Sequence, residues 1–247
     1  MALLYGEDLA YIHHHGFTQS LRKAAPHLLA LLKQHGPPSG TVVDLGCGTG
    51  VWARVLTDAG YHAVGVDDSK AMLAIARKEA PRAKFKHASL FEAAIRPCVA
   101  VTSFGECLNY DRGRGKAPER QKAIEKLARR VFKQLQPGGL FVFDVHLRTK
   151  APELRRRRSE HFGDGWAIYH ESEINPLGIR LLRSIVFSRK VGGKYRDGSA
   201  QHFLHLFDPA RLTAILERAG FRVETVQSYG DVPLLPARMG FVATKPK

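Results

Sequence analysis

The chain has 247 residues, of which 44% are hydrophobic and 25% charged, and its formal net charge is +15. These fractions are typical of a globular protein, and a chain of this length buries enough apolar surface to fold without disulfides or structural metals. No apolar run approaches the roughly 18 residues that a membrane span needs. The amino terminus lacks the basic start and apolar stretch of a secretory signal, so no membrane partner is expected.

The cysteines and the positive charge bear on location and partners. Cys47, Cys98 and Cys107 are irregularly spaced and form no Cys-x-x-Cys pair. This usage favours a reducing cytoplasm over a disulfide framework and gives a zinc site of that kind no basis. The excess of lysine and arginine is compatible with nucleic-acid binding, with an acidic substrate, or with an Arg-rich proteome. Charge alone leaves these explanations open.

Strand-like and helical segments alternate from about residue 40 to residue 146, as a parallel, doubly wound α/β sheet requires. The predicted strands of this core are 41–45, 61–66, 84–87, 99–104 and 140–145. The predicted helices are 51–59, 70–80 and 118–135. Ser69 is expected to cap the second of them, and Pro137-Gly138-Gly139 to form a turn before the last strand.

The pattern changes after the core. Residues 147–160 are strongly basic and include four consecutive arginines, which we interpret as a mostly solvated helix, with a phosphate- or carboxylate-binding patch as the alternative. Three β-like stretches then predict an antiparallel insertion: 166–174, 179–190 and 201–207. The core pattern resumes with a helix at 208–219, which Asp208 caps, and two closing strands at 221–226 and 240–244. Residues 1–35 are expected to form one or two amphipathic helices.

A glycine-rich turn follows the first predicted strand in the sequence VVDLGCGTG. Gly46, Gly48 and Gly50 let the backbone turn tightly and approach a ligand without β-carbons in the way. A nicotinamide dinucleotide would require a glycine three residues after the second one, where Val51 stands. Asp44 would repel a pyrophosphate, whereas it can accept hydrogen bonds from an amino-acid ammonium. The turn therefore favours a ligand with an amino-acid ammonium over a pyrophosphate.

The second predicted strand ends at Asp67, whose carboxylate can take both ribose hydroxyls of a nucleoside. The glycine turn, Asp67 and the sequence LQPGGL before strand five together resemble the motifs of class I S-adenosylmethionine-dependent methyltransferases of the small-molecule type. The resemblance covers residues 40–146 well and the ends more loosely. It implies a Rossmann-like α/β fold with a seven-stranded, mainly parallel sheet whose last strand is antiparallel. S-adenosyl-L-methionine would be the cofactor and S-adenosyl-L-homocysteine its product.

The resemblance also assigns cofactor contacts and implies one methyltransferase domain over 1–247, with a helical lid at 1–38, a core at 40–146, a basic helix and antiparallel insertion at 147–207, and a closing segment at 208–247. Asp68 and Met72 would lie along the adenine, Ser89 would stand where the family often has an Asp, and the lid would supply Tyr11 and Arg22. The full cofactor-binding set is Asp44, Gly46, Cys47, Gly48, Gly50, Asp67, Asp68, Met72, Ser89, Phe104, Tyr11 and Arg22.

Catalytic candidates stand at the carboxyl ends of strands four and five, where open α/β sheets bind ligands. Methyl transfer is an in-line displacement that needs alignment and, for a hydroxyl or amine acceptor, removal of a proton. His146 is the leading general base, and its alternative is a packing histidine at a strand end. Glu106 and Tyr110 are the other catalytic candidates. The His13–His15 run lacks a second cluster at ligand spacing, so no metal site is predicted.

Three functions remain open from the sequence. The first is methyl transfer to an O or N atom of a small-molecule acceptor, with a homodimer possible through the insertion. The second is RNA or DNA methylation, which the charge motivates, although no Asn-Pro-Pro-Tyr or Asp-Pro-Pro-Tyr follows strand four and Cys98 precedes that strand. The third is a non-catalytic protein that binds the cofactor.

Overall fold

The computed structural model describes residues 5–35, 38–111 and 117–247, so positions 1–4 and 36–37 of the predicted lid lie outside the described residues. The helices are α1 Glu7–Gly16, α2 Gln19–His35, α3 Val51–Asp58, α4 Lys70–Glu79, α5 Ala117–Gln134 and α6 Pro209–Arg218. The strands are β1 Thr41–Leu45, β2 His62–Asp67, β3 Lys84–His87, β4 Cys98–Ser103, β5 Tyr110–Asp111, β6 Leu135–His146, β7 Arg156–Gly163, β8 Trp166–Ile174, β9 Arg180–Val191, β10 Lys194–His205, β11 Arg222–Val226, β12 Ser228–Tyr229, β13 Val232–Pro233 and β14 Arg238–Thr244.

Seven strands form the central sheet in the order β11-β14-β6-β4-β1-β2-β3. Strands β3, β2, β1, β4 and β6 run parallel, whereas β14 pairs antiparallel with both β6 and β11. The predicted α/β sheet is confirmed. The predicted turn at residues 137–139 is instead part of β6, where the pairing register with β4 shifts and Gly138 has a φ of +76°. A glycine accommodates this irregularity without strain.

A second sheet has the order β5-β10-β9-β8-β7 and is antiparallel. It confirms the predicted insertion, and the predicted strand 166–174 matches β8. The predicted basic helix is wrong: Pro152–Leu154 is one 3-10 turn and Arg156–Gly163 is the edge strand β7. The extended backbone places Arg156 and Arg158 on one face of the strand, where both pair with Glu171 of β8.

Helices pack on both faces of the central sheet. Helices α5 and α6 cover one face, and α2 and α3 cover the other. The inner face of the second sheet packs Trp166 and Ile185 against Leu9 and Ile12 of α1. Helix α1 thereby lies between α4 and the insertion. Among the described residues, no helix is long and apolar enough to cross a membrane.

Candidate cofactor and acceptor site

Two glycines in the turn at the end of β1, Gly46 and Gly48, are required for different reasons. Gly46, Gly48 and Gly50 all have φ between +52° and +81°, the left-handed region that favours glycine. A β-carbon on Gly46 would lie 2.6 Å from the sulfur of Cys107, so the loop after β4 requires this glycine. A β-carbon on Gly48 would meet no atom within 4 Å. Gly48 therefore borders open space that a side chain would enter, as a cradle for a ligand requires.

Asp67, at the end of β2, joins the glycine turn to the start of α4. Its Oδ2 accepts the N–H of Gly48 at 2.9 Å, and its Oδ1 accepts the N–H of Ser69 at 2.9 Å. Burial raises the pKa of Asp67 to about 6, although these two N–H groups act in the opposite direction. Each carboxylate oxygen has one protein donor and retains capacity to accept a hydroxyl. The arrangement fits the two ribose hydroxyls of a nucleoside.

Asp44 lies beneath the turn and is 3% exposed. Its Oδ1 accepts the hydroxyl of Thr102 at 2.8 Å, and that hydroxyl oxygen accepts the indole N–H of Trp52 at 3.2 Å. Burial raises the pKa of Asp44 to about 7, because an ionised carboxylate is poorly solvated there. A nearby ammonium would favour the ionised form. Asp44 therefore fits the methionine amino group of S-adenosylmethionine.

The other predicted cofactor residues on the core elements surround the same edge of the sheet. The Cys47 side chain packs on Gly65, and burial raises the pKa of its thiol well above the usual range, so only its backbone is available to a ligand. Met72 is buried in the first turn of α4. Phe104 packs edge-on against Trp52 and Tyr229.

Asp68 and Ser89 take part in local backbone contacts in this structure. The carbonyl of Asp68 lies 3.0 Å from Nε2 of His87, and the Ser89 hydroxyl oxygen accepts the N–H of Phe91 at 3.3 Å. Neither contact reaches the glycine turn, so their adenine roles stay predictions.

Tyr11 and Arg22, the two predicted cofactor residues of the amino-terminal segment, have protein partners in this structure, and their cofactor roles stay predictions. Tyr11 stacks on His15 and lies under the guanidinium of Arg189, 3.6 Å from the ring centroid. Arg22 forms a half-exposed ion pair with Glu79 at 3.0 Å.

Two other residues of the amino-terminal segment contact the core. His14 Nδ1 lies 2.9 Å from the Thr49 hydroxyl in the glycine turn. The Ser69 hydroxyl donates to the Tyr5 carbonyl at 2.9 Å, beside Asp67. His14 stands four residues after buried Ala10 and so shares its helix face.

The loop after β4 is held by two carboxylates. The backbone N–H groups of Gly105 and Glu106 donate to the Asp144 carboxylate at 3.0 Å each, and Glu106 has a φ of +60°. The Glu106 side chain is buried and pairs with Arg183 and Arg238 at 2.7 Å each. Burial opposes ionisation, but the two guanidiniums lower the pKa of Glu106 to about 2. A carboxylate so strongly paired is a poor proton acceptor, and the catalytic role of Glu106 stays a prediction.

His146 ends β6 beside this loop. Its backbone N–H donates to Oδ1 of Asn109 at 2.9 Å, and its Nδ1 lies 3.3 Å from the carbonyl of Leu147. That carbonyl selects the tautomer with the proton on Nδ1, which leaves the Nε2 lone pair as the basic position. Burial lowers the pKa of His146 below 6.5, against the field of Glu106, so the imidazole is neutral at pH 7. The geometry is compatible with the predicted base.

Tyr110 belongs to a buried cluster that the sequence did not predict. Its hydroxyl lies 3.1 Å from that of Tyr5, and the His202 ring contacts both tyrosines. Burial raises the pKa of Tyr110 to about 12, so it serves as a hydrogen-bond donor and not as a base. His13 contacts Tyr5 edge-on, and burial lowers the pKa of His13 to about 4. The cluster joins α1, β5 and β10, and its Tyr5–His202 contact links residues 197 positions apart.

Comparison with known proteins finds methyltransferases among the relatives of this chain. A family model described as a methyltransferase domain matches residues 42–139. A dTDP-3-amino-3,6-dideoxy-α-D-glucopyranose N,N-dimethyltransferase from Streptomyces fradiae is 29% identical over 57% of this chain and 54% of its own, so the chain spans about half of that relative. The corresponding trideoxy-sugar enzyme of Streptomyces venezuelae is 25% identical over 89% of this chain and 90% of its own.

Solved structures show the same fold. An S-adenosylmethionine-dependent methyltransferase from Clostridium acetobutylicum aligns with a TM-score of 0.80 at 17% identity, over 97% of this chain and 98% of its own. A sugar N-methyltransferase from Streptoalloteichus aligns with a TM-score of 0.75 at 22% identity, over 100% and 95%. The glycine turn and the positions of Asp44 and Asp67 fit S-adenosylmethionine, which the description of the Clostridium protein names. Residues 42–139 thus match a methyltransferase domain, and the whole chain has the fold of an S-adenosylmethionine-dependent methyltransferase.

Proposed function

We propose that the protein transfers the methyl group of S-adenosylmethionine to the amine nitrogen of a small molecule, an amino sugar being the leading class. The observation that carries the proposal is the neutral His146 imidazole at the edge of the sheet that also bears the glycine turn and Asp67. The relatives that act on amino sugars support the substrate class.

The buried setting of the histidines near the Tyr5–Tyr110 pair favours an amine over a hydroxyl acceptor. Burial lowers the pKa of His13 and of His170 to about 4. The same burial disfavours an ammonium ion and so stabilises an incoming amine in its neutral, nucleophilic form. A hydroxyl would keep its proton in this setting until a base removes it during the reaction, whereas a neutral amine already presents a free lone pair.

The residues of this chain would divide the work as follows. Bound S-adenosylmethionine would supply an electrophilic sulfonium methyl, with Asp67 holding its ribose and Asp44 its amino group. Helix α1 covers the edge through the His14 contact with Thr49 and excludes water. The Tyr5–Tyr110 pair offers hydroxyls that orient the acceptor. His146 Nε2 takes the proton that the nitrogen loses on methylation.

The test is a methyl-transfer assay with isotopically labelled cofactor and mass detection. The acceptor panel contains free and nucleotide-linked amino sugars, the matching sugars with hydroxyl in place of amine, and RNA. We expect label only on amines, with the product retaining the nitrogen-bound methyl after acid hydrolysis. Label on hydroxyl sugars or on RNA, with amines unlabelled, would overturn the proposal.

Location and assembly follow the same reasoning. Cys47, Cys98 and Cys107 are all free thiols, as a reducing compartment maintains them, so we propose a cytoplasmic enzyme. A homodimer through the insertion stays a prediction.

A further inference from the structure

A cavity of about 130 Å³ lies away from the glycine turn, where α5 and α6 meet the ends of β6 and β10. A water molecule occupies about 30 Å³ in the liquid, so the cavity has room for a group of about four or five heavy atoms. Its floor is apolar and its rim is polar and mostly basic. The lining residues are Gln121, Ile124, Arg148, His205, Phe207, Asp208, Arg211, Leu212 and Ile215.

The two arginines of the rim have capacity for an anion. Arg148 is half-buried and donates its Nε–H to the Leu206 carbonyl at 3.3 Å, which fixes the side chain and leaves its terminal nitrogens for other acceptors. Arg211 contacts the amide oxygen of Gln121 at 3.5 Å. Within the ranges that the structure describes, neither guanidinium forms an ion pair. The one lining carboxylate, Asp208, accepts the backbone N–H of Arg211 at 3.0 Å.

His205 reports a positive field in this cavity. Burial lowers its pKa to about 4, and the guanidiniums of Arg120 and Arg148 lower it further. Asp111 acts in the opposite direction, and Arg180 pairs with it at 3.8 Å. An oxyanion that binds beside this neutral imidazole would offset the positive charge of the surrounding guanidiniums.

The cavity is tied to the proposed active site through one side chain. Nδ2 of Asn109 donates to the His146 carbonyl at 2.8 Å and to the His205 carbonyl at 2.6 Å. The backbone of a cavity residue and that of the proposed base are therefore held by the same amide. The cavity is therefore connected to the proposed acceptor side of the site through the backbones of His205 and His146.

We propose that this cavity binds a phosphate group and that it does so as the anchor of a phosphorylated acceptor, with Arg148 and Arg211 as the ligands. The assignment rests on the proposed function, because the anchored group is part of the methyl acceptor. Arginine guanidiniums match the geometry of phosphate oxygens. The fixed Arg148 and the more exposed Arg211 would close on the group from two sides.

The test is calorimetry with the full chain saturated with S-adenosylhomocysteine. The probes are inorganic phosphate, glucosamine 1-phosphate and glucosamine, at constant ionic strength. The variants are Arg148→Gln with Arg211→Gln, and Arg222→Gln on β11 as an exposed arginine away from the cavity. We expect glucosamine 1-phosphate to bind at least tenfold more tightly than glucosamine, and the double variant to lose this difference. Arg222→Gln should retain it.

A second readout uses the His205 ring. Phosphate in the cavity should raise the pKa of His205, seen as a shift of its titration by NMR and assigned with His205→Gln. Inorganic phosphate that binds as tightly as glucosamine 1-phosphate would overturn the acceptor assignment and leave a free-anion site. No phosphate binding, or binding that the double variant retains, would overturn the site itself. If the wild-type chain does not bind S-adenosylhomocysteine, that result would count against the proposed function instead. The two failures are therefore distinguishable.

Discussion

The carboxylate of Asp67 accepts the backbone N–H of Gly48 at 2.9 Å and thereby couples the end of β2 to the turn after β1. The same carboxylate accepts the N–H of Ser69, whose own side chain caps α4 by accepting from Met72. One acidic side chain thus fixes three backbone segments around the proposed ribose position. Ligand affinity at this site should depend on that carboxylate more than on any other group.

Asp67→Asn should weaken S-adenosylhomocysteine binding by about 10- to 100-fold. The change removes the charge that strengthens the ribose hydrogen bonds, and a hydrogen bond to a charged group contributes about 1.5–3 kcal/mol. Calorimetric titration of the product measures the effect. Asp231→Asn is the matched control, because Asp231 is fully exposed. Equal affinities for Asp67→Asn and the wild type would remove Asp67 from the site.

Binding of S-adenosylhomocysteine should weaken as the pH falls from 8 to 5. Burial raises the pKa of Asp67 to about 6 and that of Asp44 to about 7, and both must be ionised to accept hydrogen bonds from the ligand. The contribution of these two groups to folding stability depends on pH in the opposite direction. Both pKa values exceed the ordinary 3.8, so the folded state binds more protons between pH 4 and 7, and their contribution to stability falls as pH rises.

The size of the binding effect follows from the two ionisations. If both carboxyl groups must lose a proton, Kd should rise roughly 10²- to 10³-fold between pH 8 and pH 5. Calorimetry in two buffers with different ionisation enthalpies counts the protons released on binding. Asp44→Asn should flatten the upper part of the profile, near pH 7. A Kd independent of pH would contradict the assigned roles of both carboxylates.

His146→Asn should lower kcat for methyl transfer by roughly 10²- to 10⁴-fold, the usual contribution of a general base. The pKa of the buried imidazole lies below 6.5, so the wild-type rate should fall only below that pH, and the variant should lose this acid limb. S-adenosylhomocysteine affinity should be unchanged. His62→Asn, at an exposed position on β2, is the control. An unchanged acid limb in His146→Asn would assign the base to another residue.

The sequence predicted the central sheet closely because its strands are buried apolar runs between clear helix signals. Ser69 and Asp208 cap their helices as predicted. The basic segment was mispredicted for a physical reason: all eight residues of β7 are exposed, so its sequence has neither the period of a strand nor that of a helix. The first half of β10 is equally exposed and polar and was missed on the same ground.

The cofactor side of the site was predictable and the acceptor side was not. The glycine turn, Asp44 and Asp67 lie on local motifs, each within one strand-to-helix connection. The state of Glu106 depends on Arg183 and Arg238, which stand 77 and 132 residues further along the chain. No local pattern reports such pairs. The same holds for the Tyr5–Tyr110 contact, which joins residues 105 positions apart.

Glu106→Gln should destabilise the fold by about 3–5 kcal/mol, because it leaves two guanidiniums that are each only 18% exposed without a countercharge. For a chain of this length the melting temperature should fall by roughly 6–15 °C. Glu171→Gln is the matched control, since Glu171 also pairs with two arginines but on the surface, and it should shift the melting temperature little. The comparison uses thermal unfolding at pH 7.

The pH dependence of that contribution has a definite sign. The pKa of Glu106 is about 2 in the folded state and ordinarily 4.5, so its stabilisation is present above pH 4.5 and is lost as the pH falls toward 2. Unfolding of the wild type and of Glu106→Gln should therefore converge at low pH. A constant difference between them from pH 7 to pH 3 would show that the ion pairs do not hold the loop.

Gly46→Ala and Gly48→Ala separate folding from binding within one turn. The added methyl at Gly46 meets the Cys107 side chain at 2.6 Å, so this variant should lose stability, in addition to the cost of about 1–2 kcal/mol for alanine in a left-handed conformation. The methyl at Gly48 meets no protein atom within 4 Å, so this variant should carry the conformational cost alone. It should nevertheless lose most of its affinity for S-adenosylhomocysteine, because the methyl occupies the space proposed for the ligand. Thermal unfolding and calorimetry on both variants make the comparison, and Gly48→Ala with wild-type affinity would mean that the ligand does not approach the turn.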